Sequence, residues 1–263
     1  MLEVVQAIKF IRPMDQGRTR PSLVAIRDAN GVEIEAVAKL SAGCDRKEDA
    51  LIAEAITAML AEDLGLPVPR PYFVELSAAF IDAIPNQEIR NLARQSCPIC
   101  YGSRRLPQGA RAWIAGSPVL PQDLEIAAAI FAFDALIDNV DRRVENTNLL
   151  VSGDRIWIYD HELAFASNLV LFWKPPWVVG ARGHLAQPGK HVLFENLKGR
   201  MINLEALRVG LAKISDGRPL EYEKSIPDAW RKPENILKTA LGLIASIRDN
   251  ADACMAEVQR VLK

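Results

Sequence analysis

The stretch that most limits the fold is residues 122–138, QDLEIAAAIFAFDALID. Apolar side chains fall on most sides of the helix it predicts, and such a helix must be covered by other elements. It is too short to span a membrane, and Asp134 interrupts its apolar run. Its exit is crowded with polar chemistry. Asp138, Asn139 and Asp141 leave the helix, and Asn146 and Asn148 follow. TNLLV-SGD-RIWIYD then predicts two short strands around Ser152-Gly153-Asp154, the second ending at Asp160 and His161.

Asp and Asn are common in turns and caps, so each of these residues taken singly reads more often as local hydrogen bonding than as catalysis. The combination asks for more. A hairpin returns the chain, so Asp160 comes back beside Asn146, with Asp141 projecting from the loop before them. Two oxygen ligands of this kind suit Mg²⁺, which needs one or two carboxylates and takes its other ligands from water and phosphate. The pattern is that expected of a phosphoryl-transfer site, with Asp141 orienting or deprotonating an acceptor hydroxyl. Asn139 and Asn148 are read as residues that fix the loop.

The upstream half supplies matching parts. VVQAIKFI predicts a strand, and SLVAIRD-ANG-VEIEAVAKL predicts a hairpin around Asn30-Gly31. Its second arm ends on Val37-Ala38-Lys39, the pattern of a nucleotide-contacting lysine on a third strand. From Asp45 to Leu64 the apolar residues predict one face of an amphipathic helix stopped by Gly65, with Glu54 on the flank of that face, where it could pair with Lys39. In MDQGRTRPS the backbone after Gly17, with Arg18, Thr19 or Ser22, could meet phosphate, but a solvated turn predicts the same letters. Residues 78–95 predict a helix, CPICYGSRRLPQGARAW a strand and a turn-rich connector, and 201–263 a helical tail ending in a long segment from Glu234. The order predicts an α+β fold. A small β-rich part is followed by a mostly helical one, divided in the connector at 107/108, with a cleft between.

Composition excludes little but sets the setting. The chain has 263 residues, 49% apolar and 25% charged, with net charge −1 and no block of Lys or Arg that would form a nucleic-acid surface. No membrane span and no secretory leader are expected. Four cysteines, of which only Cys97 and Cys100 are close, fit reduced thiols in a cytoplasmic protein better than a zinc site, which would need two further ligands. LFWKPPWVVG is expected in the core rather than on an acceptor-recognition loop.

NVDRRVENTNLL followed by IYDHELAF resembles the HipA-like kinases, in the compact branch lacking the extra N-terminal subdomain of the larger toxin kinases; it is also similar to the phosphatidylinositol kinases. GRTRPSLV, VAKL, AEAITAMLAEDLGLPVPRP and CYGSRRLP follow that family's order, over roughly residues 15 to 165. The resemblance implies a two-lobed protein-kinase-like fold, with an N-lobe over 1–107 and a helical C-lobe over 108–263. It implies an ATP- and Mg²⁺-dependent kinase acting on a protein Ser or Thr, with a small antitoxin-like protein as a possible partner. Residue by residue, it makes Asp141 catalytic, Asn146 and Asp160 metal ligands, and Lys39 the phosphate contact paired with Glu54. Gly17, Arg18, Thr19 and Ser22 form the phosphate loop, and Tyr101, Gly102, Ser103 and Arg104 offer hinge backbone to adenine. Arg142 and Arg143 would neutralise phosphate near the acceptor, or else pair on the surface with Glu145 or Glu162. Three departures stand out: His161-Glu162 replaces the usual Phe-Gly, the glycine loop is minimal, and Gln16 rather than Ser precedes Gly17. A nucleotide-binding pseudokinase and a kinase with a lipid or small-molecule acceptor are the competing readings.

Overall fold

The computed structural model describes residues 2–14, 17–167, 171–232 and 236–263; Gln16 and Glu234, on which two of the expectations above fall, lie outside the described residues. Five strands close a barrel in the order β1 (Glu3–Pro13), β2 (Ser22–Arg27), β3 (Glu33–Lys39), β5 (Ile99–Arg104) and β4 (Pro71–Glu75). The β2–β3 hairpin forms in the register that sets Ser22 opposite Ala38 and Arg27 opposite Glu33. Its turn is held by Asp28 Oδ1, which accepts the N–H of Asn30 at 2.9 Å and of Val32 at 2.8 Å, while Gly31 takes φ +80°. Two register shifts in β1 let that long strand coil far enough to pair in parallel with β4 and close the barrel.

Helix α1 (Glu48–Asp63) follows β3 after a short 3-10 turn at Ser41–Gly43. The predicted apolar face is only part of its burial, because every residue from Ala50 to Ala61 is buried. The reason is placement: α1 packs on β4 and β5 and also on α8 (Leu237–Asp249), so it has no solvent face along most of its length. Residues 78–95 form two helices, α2 (Ala78–Asp82) and α3 (Gln87–Gln95), separated around Pro85. Ser77 and Asn86 cap them, accepting from the N–H of Phe80 and Ile89.

Beyond β5 the connector reaches β6 (Arg111–Ala112), which pairs with β7 (Leu149–Ser152), itself paired with β8 (Arg155–Ile158). The apolar helix is α4 (Leu124–Leu136), and it is buried as expected. The tail forms α5 (Phe194–Leu197), α6 (Glu205–Ala212), α7 (Arg218–Ser225), α8 and α9 (Ala251–Leu262); the predicted long last segment breaks at Asn250. One apolar core joins α1, α4 and the tail helices, and a second fills the barrel. Trp230 stitches the tail to the barrel, packing edge-on to Phe73 at 5.2 Å and donating Nε1–H to the Ile99 carbonyl at 2.9 Å. Among the described residues no helix is long and apolar enough to cross a membrane.

The aromatic stretch 171–180 corrects the expectation of core placement in part. Trp173 and Trp177 pack against the core, but Leu171, Phe172 and Val179 are exposed. All four cysteines are free thiols, and Cys97 donates to Glu48 at 3.2 Å.

Candidate active site

Lys39 closes β3 and points into the protein. Its ammonium donates to Glu54 Oε1 at 2.5 Å, to Asp160 Oδ1, and to Glu162 Oε2 at 3.2 Å. Its three N–H donors therefore meet three carboxylates. Burial works against charge on Lys39, but those carboxylates outweigh it and hold the pKa well above the ordinary lysine value. Glu54, only 2% exposed, is pushed up by burial, with the ammonium at 2.5 Å opposing. The burial of α1 gives the pair its strength, since charges out of water attract more strongly.

Asp160 reaches this point because β8 ends at Ile158, two residues earlier than the sequence implies, and Asp160 itself turns the chain at φ +61°. Asp138 and Asn148 are also left-handed, at φ +55° and +46°. A loop with several such residues is held by its surroundings rather than by local preference. Arg46, just before α1, fixes the far side by donating to the carbonyls of Glu162 and Ala164, both at 3.1 Å.

Asp141 is held by its own loop. Its Oδ2 accepts from Asn146 Nδ2 at 2.7 Å and Asn148 Nδ2 at 3.3 Å, and its Oδ1 faces Arg143 Nη2 at 3.3 Å. Asn148 fixes the loop in a second way, through its carbonyl, which accepts from Arg142, and Asn139 donates to Asp134 Oδ1 at 2.6 Å.

Arg142 requires a correction. It is 0% exposed and so meets neither an acceptor phosphate nor a surface acid. Its Nε donates to Asp134 Oδ2 at 2.6 Å, its Nη1 to backbone carbonyls of Asn148 and Tyr159, and its Nη2 to His161 Nε2 at 2.7 Å. His191 completes the cluster. Its Nδ1 accepts the Leu193 N–H at 3.2 Å, so its Nε2 carries the proton and donates to Asp134 Oδ2 at 3.1 Å. Burial opposes charge on Asp134, yet Arg142 and His191 hold its carboxyl well below the usual range. Burial and then the Arg142 charge press His161 down to about 3, so its ring is neutral. The one sequence signal for this hub was Asp134 itself, an acid in an apolar helix that must find a buried cation.

A cavity of about 490 Å³ collects most of these groups, within the usual range for small-molecule sites. Gly17, Thr19, Lys39, Glu54, Tyr101, Ser103, Arg104, Asn146 and Asp160 line it. Asp141 stands beside it, tied to the wall through Asn146. Three of the expected phosphate or nucleotide contacts lie elsewhere. Arg18 is exposed and pairs with Asp45. Ser22 is buried in β2, away from the cavity wall. Gly102 is paired on both sides, with Ala38 of β3 and Tyr72 of β4, and a Cβ there would fall 2.6 Å from Val74 Cγ2, so it faces away. Ladder pairing likewise occupies β5 on both edges, and the cavity wall continues instead along Arg105–Ala110.

The donor set fits a hard divalent cation. Carboxylate oxygens of Glu54, Asp160 and Glu162 lie within 4.8 Å of one another, here around the Lys39 ammonium, and Asn146, whose NH₂ is donated to Asp141, lines the same cavity wall as Asp160.

A buried lysine–glutamate pair and an Asp–Asn loop meet at one cavity, an arrangement suited to phosphoryl transfer. The crystal structure of the Helicobacter pylori proinflammatory kinase CtkA superposes over 100% of both chains with a TM-score of 0.51 at 9% identity, a likeness of fold. No match was found among curated protein sequences. The family model of the HipA-like kinases matches residues 7–255, and the chain belongs to that family.

Proposed function

We propose that this HipA-like kinase is an active enzyme that binds Mg·ATP between a barrel lobe and a helical lobe and transfers the γ-phosphoryl group to a protein Ser or Thr hydroxyl. The observation that carries the reading is the Lys39 ammonium, buried and shared between Glu54 and Asp160 on the wall of the cavity that Asn146 also lines. In this reading Asp160 and Asn146 hold Mg²⁺, which would neutralise phosphate charge when bound. Lys39 turns from Asp160 to the nucleotide phosphates while Glu54 keeps its position. Asp141, with Oδ2 fixed by Asn146 and Asn148, presents its carboxylate to the acceptor hydroxyl and takes its proton. Thr19 and the backbone after Gly17 cover the phosphates, and the connector from Arg104 to Pro107 takes the adenine edge.

Lys39, Asp141, Asn146 and Asp160 together favour turnover over a pseudokinase scaffold. The test is incubation of the whole protein with Mg²⁺ and γ-labelled ATP, with and without cell extract, beside Asp141→Asn. Label on protein Ser or Thr, lost in the variant, is the expected result. Label confined to lipid or small molecules would replace the acceptor class, and ATP binding without transfer would establish the pseudokinase.

A further inference from the structure

We propose that His161 is a positioning residue: its imidazole lies between Arg142 of the catalytic loop, from which it accepts a hydrogen bond, and the carboxylate of Glu54 of α1, and so fixes Lys39 relative to Asp141. The role rests on the kinase reading above, but the placement is a matter of geometry. Arg142 Nη2 lies 2.7 Å from His161 Nε2. A guanidinium only donates, so Nε2 accepts and the ring proton sits on Nδ1. Nδ1 in turn faces Glu54 Oε2 at 3.9 Å, in contact but longer than a hydrogen bond. Glu54 thus meets Lys39 on Oε1 and His161 on the Oε2 side.

The three residues are 0%, 2% and 2% exposed, and Phe133 of α4 packs edge-on against the imidazole at 6.3 Å. Asp134, Arg142, His161, Glu54 and Lys39 therefore pack as one buried cluster from α4 through the catalytic loop and α1 to β3. A neutral imidazole suits its middle, because one rigid ring accepts from a cation at one end and turns its N–H towards an anion at the other. Phenylalanine would fill the space but leave an Arg142 N–H without its partner, in a setting where water cannot replace it. Phosphoryl transfer is largely positioning, and a displacement of about 1 Å can cost about 10²-fold in rate. Slack between Glu54 and the catalytic loop would act on that step.

The experiment is a cycle of His161→Phe, Glu54→Gln and the double variant, with His161→Gln, whose amide can accept from Arg142 and donate towards Glu54. Mg·ATP turnover is measured with the whole protein, beside Asp141→Asn. His161→Phe should lower kcat about 10²-fold, with KM for ATP changed far less. His161→Gln should recover most of the loss, and His161→Phe should add little on the Glu54→Gln background. Wild-type kcat in His161→Phe, or losses that simply multiply in the double variant, overturns the proposal. If the wild-type protein turns over no faster than Asp141→Asn, the kinase reading fails instead, and the contact is read from thermal unfolding of the same cycle without nucleotide. Non-additive Tm shifts there uphold the contact between His161 and Glu54; additive ones overturn it.

Discussion

Gly43 is the position where one added methyl group should reach the nucleotide site most directly. It ends the 3-10 turn between β3 and α1, and a Cβ built on it falls 2.4 Å from the Thr19 carbonyl oxygen and 3.2 Å from Leu92 Cδ2. The leucine methyl can rotate aside; the carbonyl belongs to the loop that lines the cavity. An ordinary carbon–oxygen contact needs about 3.4 Å, so in Gly43→Ala the loop must retreat by about 1 Å. Gly43 does not have a positive φ, so alanine is conformationally permitted and the clash is the whole perturbation. Overpacking of this kind costs about 1–3 kcal/mol in stability. If Thr19 and the backbone after Gly17 cover phosphate, the same shift should lower kcat/KM for ATP by about 10²-fold. The assay is ATP turnover and ATP binding by calorimetry, with Gly242→Ala as control. That glycine is exposed within α8, and a methyl group added there would meet nothing within 4 Å, so its replacement should gain about 1 kcal/mol without touching ATP. Wild-type ATP binding and turnover in Gly43→Ala would refute the assignment of this loop to the phosphates.

Two further outcomes follow from the buried hub. Arg142→Met leaves Asp134 buried without its guanidinium and should cost about 3–5 kcal/mol in urea unfolding, where a surface arginine would cost under about 1 kcal/mol. His191 has its pKa lowered in the folded state, chiefly by burial, with the Asp134 contact opposing. Below about pH 6.5 the unfolded chain therefore binds a proton that the folded one refuses, and stability falls as pH falls. His191→Gln should remove up to one proton's worth of that slope, about 1.4 kcal/mol per pH unit, measured by denaturation between pH 7 and the acid limit of folding. An unchanged slope would mean that His191 is protonated in the folded protein.

The hairpin around Asn30-Gly31, the buried α4 and the lysine at the end of β3 were legible because each has a local cause: a turn chemistry, an all-round apolar helix, an alternating strand. Glu54 was legible as a flank position, but its full burial was not, since α8 arrives from almost two hundred residues away. The same limit hid the role of Arg142. D-R in the loop reads as phosphate chemistry, and only the tertiary packing of Asp134, His161 and His191 around it turns that arginine into a structural hub. Ser22 was read from the letters of its own loop and Gly102 from family order, and the barrel's pleat and double-sided pairing set them off the cavity wall. Glu162 and Arg46 carried no spacing signal, because their partners lie across the junction between α1 and the segment after β8.

The most direct test of the central claim compares wild type and Asp141→Asn in one preparation, measuring ATP affinity and phosphoryl transfer side by side. The account predicts nucleotide binding within error of wild type and transfer reduced by about 10²–10⁴-fold, because Asp141 touches Asn146, Asn148 and Arg143 but no part of the Lys39–Glu54 pair. Transfer at the wild-type rate in Asp141→Asn would contradict it.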